Sequence, residues 1–161
     1  MVRLTRFLPA RFLGSPAFGA VGKRVFPRAD VALQRLTRGR ASFTAAAGLP
    51  LLLLETTGRR TGSARVTPLT YATQGTDFLV VGSNWGQERQ PAWVLNLLAK
   101  PGAFVTLHGM RIPVKARVLS LAERSDVWPL LLEVWPVYDE YVKRVQSTSD
   151  REIMVFRLER T

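Results

Sequence analysis

Apolar and polar residues change rhythm near Gly48. Before it, Leu4, Phe7, Leu8 and Phe12 recur at helical spacing, with Arg3, Arg6 and Arg11 beside them. Pro9 interrupts that helix, and a second is expected from about Pro27 to Thr37. After Gly48 the punctuation is that of strands. Leu51–Thr57 reads as a buried strand, and Gly58-Arg59-Arg60-Thr61-Gly62 as a glycine-bracketed turn. Ser63–Thr73 reads as a second strand broken near Pro68, and Phe78–Gly82 as a short third after the Gln74–Asp77 turn. Ser83–Gln90 is a polar loop, and Pro91 suits the first turn of a helix that ends at Pro101-Gly102. Strands Ala103–His108 and Arg111–Leu119 are expected around a Gly109-Met110 turn. Ser120-Leu121-Ala122-Glu123 matches a capping box. The helix it opens is expected to reach about Val145, divided by Pro129 and Pro136, before a final strand Ile153–Leu158.

Hairpin connections dominate this order, so an antiparallel sheet is expected rather than a doubly wound parallel one. The expected class is α+β or mainly β: six strands and one long crossing helix that close into a small barrel, which removes exposed edges. Residues 1–48 read as a basic, partly helical arm, and residues 49–161 as the barrel domain.

Charge sharpens that division. The net charge is +11, and residues 1–40 carry nine Lys/Arg against Asp30 alone, leaving only +3 for the rest. An amphipathic basic arm suits either packing on the body or an anionic membrane surface. No apolar run reaches the roughly 18–20 residues of a spanning helix, and arginines interrupt any secretory signal. The expectation is a cytoplasmic protein, peripheral at the inner face of the cell membrane. Nucleic acid is disfavoured because the body lacks a base-reading motif. With no cysteine and only His108, thiol chemistry and multi-histidine metal sites are excluded.

Three constellations could carry chemistry. Arg59, Arg60 and Arg65 around the glycine-bracketed turn suit phosphate or carboxylate, or are simply solvated. Ser83-Asn84-Trp85-Gly86 offers polar groups after an apolar strand, and Trp93 and Asn96 share one helix face. Asn96 either meets a ligand or caps a local backbone group, and Trp93 is then core. Trp128, Trp135, Tyr138 and Tyr141 fall within a broad face of an ideal helix, as core or as a wall for a flat substrate.

Together these segments resemble the deazaflavin-dependent nitroreductase and quinone-reductase family of actinobacteria. The matching text is Leu53-Leu54-Glu55-Thr56-Thr57-Gly58-Arg59-Arg60-Thr61-Gly62, Arg65-Val66-Thr67-Pro68-Leu69 and Val81-Gly82-Ser83-Asn84-Trp85-Gly86. It continues with Pro91-Ala92-Trp93, Asn96-Leu97-Leu98-Ala99-Lys100-Pro101, Trp135-Pro136-Val137-Tyr138-Asp139-Glu140-Tyr141 and Arg151-Glu152-Ile153. The resemblance covers roughly residues 49–159. It implies a split β-barrel that binds reduced coenzyme F420, an 8-hydroxy-5-deazaflavin with a phosphate and a glutamate tail. It implies that Arg59, Arg60, Thr61 and Arg65 meet those anions. Val66, Thr67, Pro68, Leu69, Val81, Gly82, Ser83, Asn84, Gly86, Pro91, Ala92, Trp93 and Asn96 would line the rest of the coenzyme. Tyr138, Tyr141 and Ser83 would be catalytic, and Thr70, Trp135, Tyr138 and Tyr141 would face the acceptor. The implied activity is hydride transfer to a quinone or another flat, activated acceptor.

The chain departs from the family where Asn84 replaces a common Lys, Trp85-Gly86 a Gly-Gly, and Thr70 an aromatic. Trp135 stands where nitroimidazole-reducing members have tyrosine. Two other readings stay open: an FMN-binding split barrel, and a non-catalytic flavin- or lipid-binding protein at the membrane surface. Monomer and homodimer are equally open.

Overall fold

The computed structural model describes residues 49–161. The helices expected in residues 1–48 lie outside the described residues. Strand β1 (Leu51–Thr57) lies antiparallel to β2 (Ala64–Thr70), in register from Leu51 opposite Thr70 to Thr57 opposite Ala64. The chain bends at Tyr71 into β3 (Ala72–Gln74), which pairs with β4 (Asp77–Val81). Helix α1 (Ala92–Ala99) crosses to the hairpin of β5 (Gly102–Leu107) and β6 (Met110–Val118). Helices α2 (Leu121–Val134) and α3 (Tyr138–Thr148) precede β7 (Val155–Arg160).

The strands form one sheet in the order β2-β1-β5-β6-β7-β4-β3, and every pair is antiparallel. β2 and β3 stand at opposite ends of that order, yet only Tyr71 separates them along the chain. The sheet therefore curls until its two ends meet at Tyr71. Seven hydrogen-bonded strands replace the six expected, because the run Ser63–Thr73 is divided at Tyr71 and not near Pro68. Pro68 sits within β2 opposite Leu53. β2 is a terminal strand of the sheet, where a missing N–H is tolerated.

Side-chain alternation builds two cores from the same strands. Phe78 and Val80 of β4 join Leu52, Leu54, Trp93, Val94, Leu97, Val105, Phe156 and Leu158 inside the curled sheet, with α1. Leu79 and Val81 point the other way, into a second cluster with Val127, Leu131, Tyr138, Tyr141, Val145 and Val155. β4 is thus buried on both faces, which is why its sequence is a continuous apolar run rather than an alternation.

The β5–β6 turn and the role of Pro129 differ from the sequence reading. The β5–β6 turn is His108-Gly109, one residue earlier than expected, with φ of 50° and 81°, as a two-residue hairpin turn of the primed type requires. Pro129 lies inside α2 instead of dividing it, while the expected break at Pro136 is found, over Trp135–Val137. Trp128 and Trp135 therefore do not share one helix with Tyr138 and Tyr141. The indole N–H of Trp128 donates to Asp139 Oδ1 at 2.8 Å and ties the two helices together. The Ser120–Glu123 capping box is formed in both directions, as expected.

Candidate active site

The turn between β1 and β2 is closed by its own backbone. Gly58 N–H donates to Ser63 O at 2.8 Å and Gly62 N–H to Gly58 O at 2.7 Å. One buried amide fixes its position. Asn96 of α1, 4% exposed, accepts the Arg59 backbone N–H on Oδ1 at 3.1 Å. Its Nδ2 donates to Thr56 Oγ1 at 3.1 Å. The backbone group that Asn96 holds is thus 37 residues away along the chain, not a local one. Trp93, 5% exposed, packs edge-on against Phe156 with ring centroids 5.6 Å apart, and so is core. Arg59, Arg60 and Arg65 are exposed, and none of them forms an ion pair among the described residues. Thr61 is exposed beside them.

From Arg65 to Thr70 the chain runs along β2 for about 17 Å, at roughly 3.3–3.4 Å per residue. Val66, Thr67, Pro68 and Leu69 lie half-buried between those ends. At the far end Thr70 Oγ1 and the Tyr138 hydroxyl are hydrogen-bonded at 2.7 Å. Burial pushes the Tyr138 phenol up to about 12, partly opposed by the bond to Thr70. Tyr141, one turn along α3, is 2% exposed, and its hydroxyl has no partner that meets hydrogen-bond geometry. Burial raises its pKa, and the nearby Trp135 side chain opposes the shift. Trp135 itself is half-buried against the same cluster.

The segment after β4 completes this end. Val81 and Gly82 are buried, and Ser83 is half-buried. Asn84, Trp85 and Gly86 are three consecutive left-handed residues, with φ of 49°, 58° and 70°. Each L-residue in that region costs on the order of 1–2 kcal/mol, so the turn must be held. Asn84 Nδ2 donates to Arg89 O at 2.6 Å. Arg144 of α3 donates to Trp85 O at 3.4 Å. A Cβ on Gly86 would stand 3.0 Å from Tyr141 Cδ1, so only glycine lets the turn close on the helix. Pro91 is buried and caps α1, whereas Ala92 is exposed.

Of the expected residues, Arg59, Arg60, Thr61 and Arg65 stand at one end of β2 and Thr70, Tyr138 and Tyr141 at the other, with Val66–Leu69 between them and Trp93 in the core. The sequence reading quoted Arg151 only within the resemblance and gave it no role; its guanidinium binds the backbone of the 82–87 segment. A lone arginine ahead of a strand carries no local signal of that role. Thr56 was likewise unmarked, because its hydroxyl matters only through Asn96.

The family described as F420H(2)-dependent quinone reductase matches residues 26–160. An F420H(2)-dependent quinone reductase of Mycobacterium tuberculosis (strain H37Rv) is 33% identical over 133 residues, covering 80% of this chain and 86% of the relative. A solved F420-H2 dependent reductase superposes with a TM-score of 0.61 at 33% identity, over 68% of this chain and 94% of that one. A second solved chain, described as a domain-swapped dimer, gives a TM-score of 0.63 at 30% identity over 80% of this chain and 94% of its own. With the family match spanning most of its length, this chain belongs to the F420H(2)-dependent quinone reductases.

Proposed function

We propose that this protein is an oxidoreductase that uses reduced F420 to reduce a quinone or a similar flat acceptor, with the two groups of residues along β2 serving the two ends of the coenzyme. The observation that carries the assignment is the set of three exposed arginines without ion-pair partners around one turn, with Arg65 about 17 Å along β2 from Thr70, which bonds the buried Tyr138. Guanidinium groups left free of carboxylates suit a phosphate and a glutamate tail. Asn96 holds the turn that presents them. When bound, reduced F420 supplies the hydride.

At the other end the residues orient and exclude water. Thr70 and Tyr138 fix each other, which closes one side of the site. The Tyr141 hydroxyl donates to an acceptor oxygen, satisfying a group otherwise buried without a partner. Trp135 forms an aromatic wall. Both phenols are raised by burial, so they serve as hydrogen-bond donors, and the proton that accompanies the hydride comes from solvent. Ser83 and the turn to Gly86 line the ring side. The lining is apolar and aromatic, which favours a neutral acceptor over a charged one.

The basic arm, residues 1–40, is proposed to meet an anionic membrane surface, because most of the net charge lies there. Liposome flotation with and without residues 1–40 tests that point, and equal binding removes it. The central test is a titration of the purified protein with reduced F420, FMN and NADPH, followed by fluorescence. F420 binding with turnover of a quinone is expected. Tight FMN binding without F420 binding replaces this reading with a flavin enzyme.

A further inference from the structure

Arg151 stands just before β7 and is half-buried, yet it pairs with no carboxylate among the described residues. Its donors go instead to one segment. Nη2 binds Gly82 O, and Nη1 binds both Gln87 O and Ser83 O, the last at 3.3 Å. Nε donates to Gln90 Oε1 at 3.1 Å, and Gln90 Nε2 in turn donates to Glu152 O at 2.9 Å. Burial lowers the pKa of this guanidinium, so its place away from water has a cost that the carbonyls offset. The carbonyls it collects bracket the three left-handed residues Asn84, Trp85 and Gly86. Within the segment Gly86 N–H donates to Ser83 O at 3.0 Å and Gln87 N–H to Asn84 O at 3.1 Å, a single turn of the 3-10 kind, and Arg151 adds contacts to the carbonyls on either side of it. A planar fork spreads its five donors over three nitrogens and can reach carbonyls set apart from one another, whereas the three donors of an ammonium radiate from one atom.

We infer that Arg151 is a positioning residue: its guanidinium gathers the carbonyls of Gly82, Ser83 and Gln87 and so holds the Ser83–Gly86 turn in the shape the reaction uses. This rests on the assignment of that turn to the ring side of the site. Arg151 touches neither coenzyme nor acceptor; it acts through the backbone.

The test compares wild type with Arg151→Lys and Arg151→Ala. Amide hydrogen exchange on the protein without coenzyme reads the clamp directly. Both variants should lose protection in residues 82–90 while β1, β5 and β6 keep theirs. Single-turnover oxidation of reduced F420 by a soluble quinone should slow by roughly tenfold to a hundredfold, as expected for misplacement of reacting groups. F420 affinity should change by less than about threefold, because charge-assisted contacts at the distant arginine turn are untouched. Added guanidinium ion should restore part of the rate to Arg151→Ala, and not to Arg151→Lys. Wild-type exchange and rate in Arg151→Lys overturn the inference. So does a loss of protection spread over the whole sheet that guanidinium does not reverse, which makes Arg151 a stability residue only. If wild-type protein neither binds nor oxidises reduced F420, the functional assignment fails, while the exchange measurement still decides whether the clamp exists.

Discussion

A phenol that ionises only near pH 12 affects more than its own hydrogen bond. In an unfolded chain Tyr138 releases its proton near pH 10. Between pH 10 and 12 the unfolded chain has lost that proton and the native one has not. The unfolded state then binds fewer protons, so stability falls as pH rises, by about 2–3 kcal/mol across the window. Urea midpoints measured up the alkaline range should fall more steeply for wild type than for Tyr138→Phe; parallel profiles would remove the shift. At neutral pH the same substitution should cost about 1 kcal/mol, the worth of one neutral hydrogen bond. Glycine 86 offers a second residue-scale test. Gly62 has φ +71° with nothing near its missing Cβ, whereas Gly86 has φ +70° with Tyr141 at 3.0 Å. Gly62→Ala should lose about 1–2 kcal/mol from backbone strain alone. Gly86→Ala should lose more in thermal denaturation, and equal losses would mean that the turn does not press on α3. At this scale the candidate residues were legible as types and spacings. Their division of labour was not. The sequence left Asn96 between a ligand and a local backbone group, and Arg65 between an anion and solvent; burial and one long-range hydrogen bond show that Asn96 anchors a turn and Arg65 faces water.

Among the elements, α2 is the one whose start the sequence marked best. Ser120 accepts from Glu123 N–H, and Glu123 Oε2 accepts from Ser120 N–H at 2.8 Å. Arg117 also holds this carboxylate, and together they pull its pKa down to about 2. A depressed carboxylate stabilises the fold above its unfolded pKa, and the gain is lost as pH falls through the folded one. Wild type should therefore exceed Glu123→Gln in stability above about pH 4.3, with the two converging as the pH nears 2. Ser120→Ala should cost about 1 kcal/mol, read from urea denaturation. The strand β1 was legible to the residue, because Gly48 and Gly58 bracket an apolar run. Pro129 was misread because a proline frees the carbonyl four residues back, which usually ends a helix. Here that residue is Ser125, which is exposed, so water can satisfy its carbonyl and α2 continues. The bend at Tyr71 was hidden for another reason. It exists because the sheet curls until β2 and β3, its two edge strands, follow each other along the chain, which no local pattern encodes.

Over the whole molecule, the basic character that dominates the composition separates from the site. Residues 49–161 hold only +3 of the net charge, yet three of their arginines surround one turn. If these hold the coenzyme's anionic tail, Arg60→Ala together with Arg65→Ala should weaken F420 binding by about 1.5–3 kcal/mol per charge-assisted bond lost. Raising the salt concentration should weaken wild-type binding more than binding by the double variant, since exposed pairs are screened. Unchanged affinity in the double variant would take the turn out of the site. The curl of the sheet brings the two residue groups onto one strand, and the antiparallel class was readable from the hairpins. The order of strands was not, because β7 enters between β6 and β4 from more than thirty residues after β6.

That last insertion has a consequence for how the protein is made. Without β7, the sheet consists of two separate pieces, β2-β1-β5-β6 and β4-β3, which share no other ladder. The seam between them is Phe78–Val81 against Val155–Leu158 on one side and Val114–Val118 against Phe156–Arg160 on the other. On a ribosome the growing chain can form its hairpins early, but it must hold two apolar faces open until β7 leaves the exit tunnel. A nascent chain stalled short of Val155 should thus be bound by chaperones and cut by proteases, and release of the last strand should end both at once.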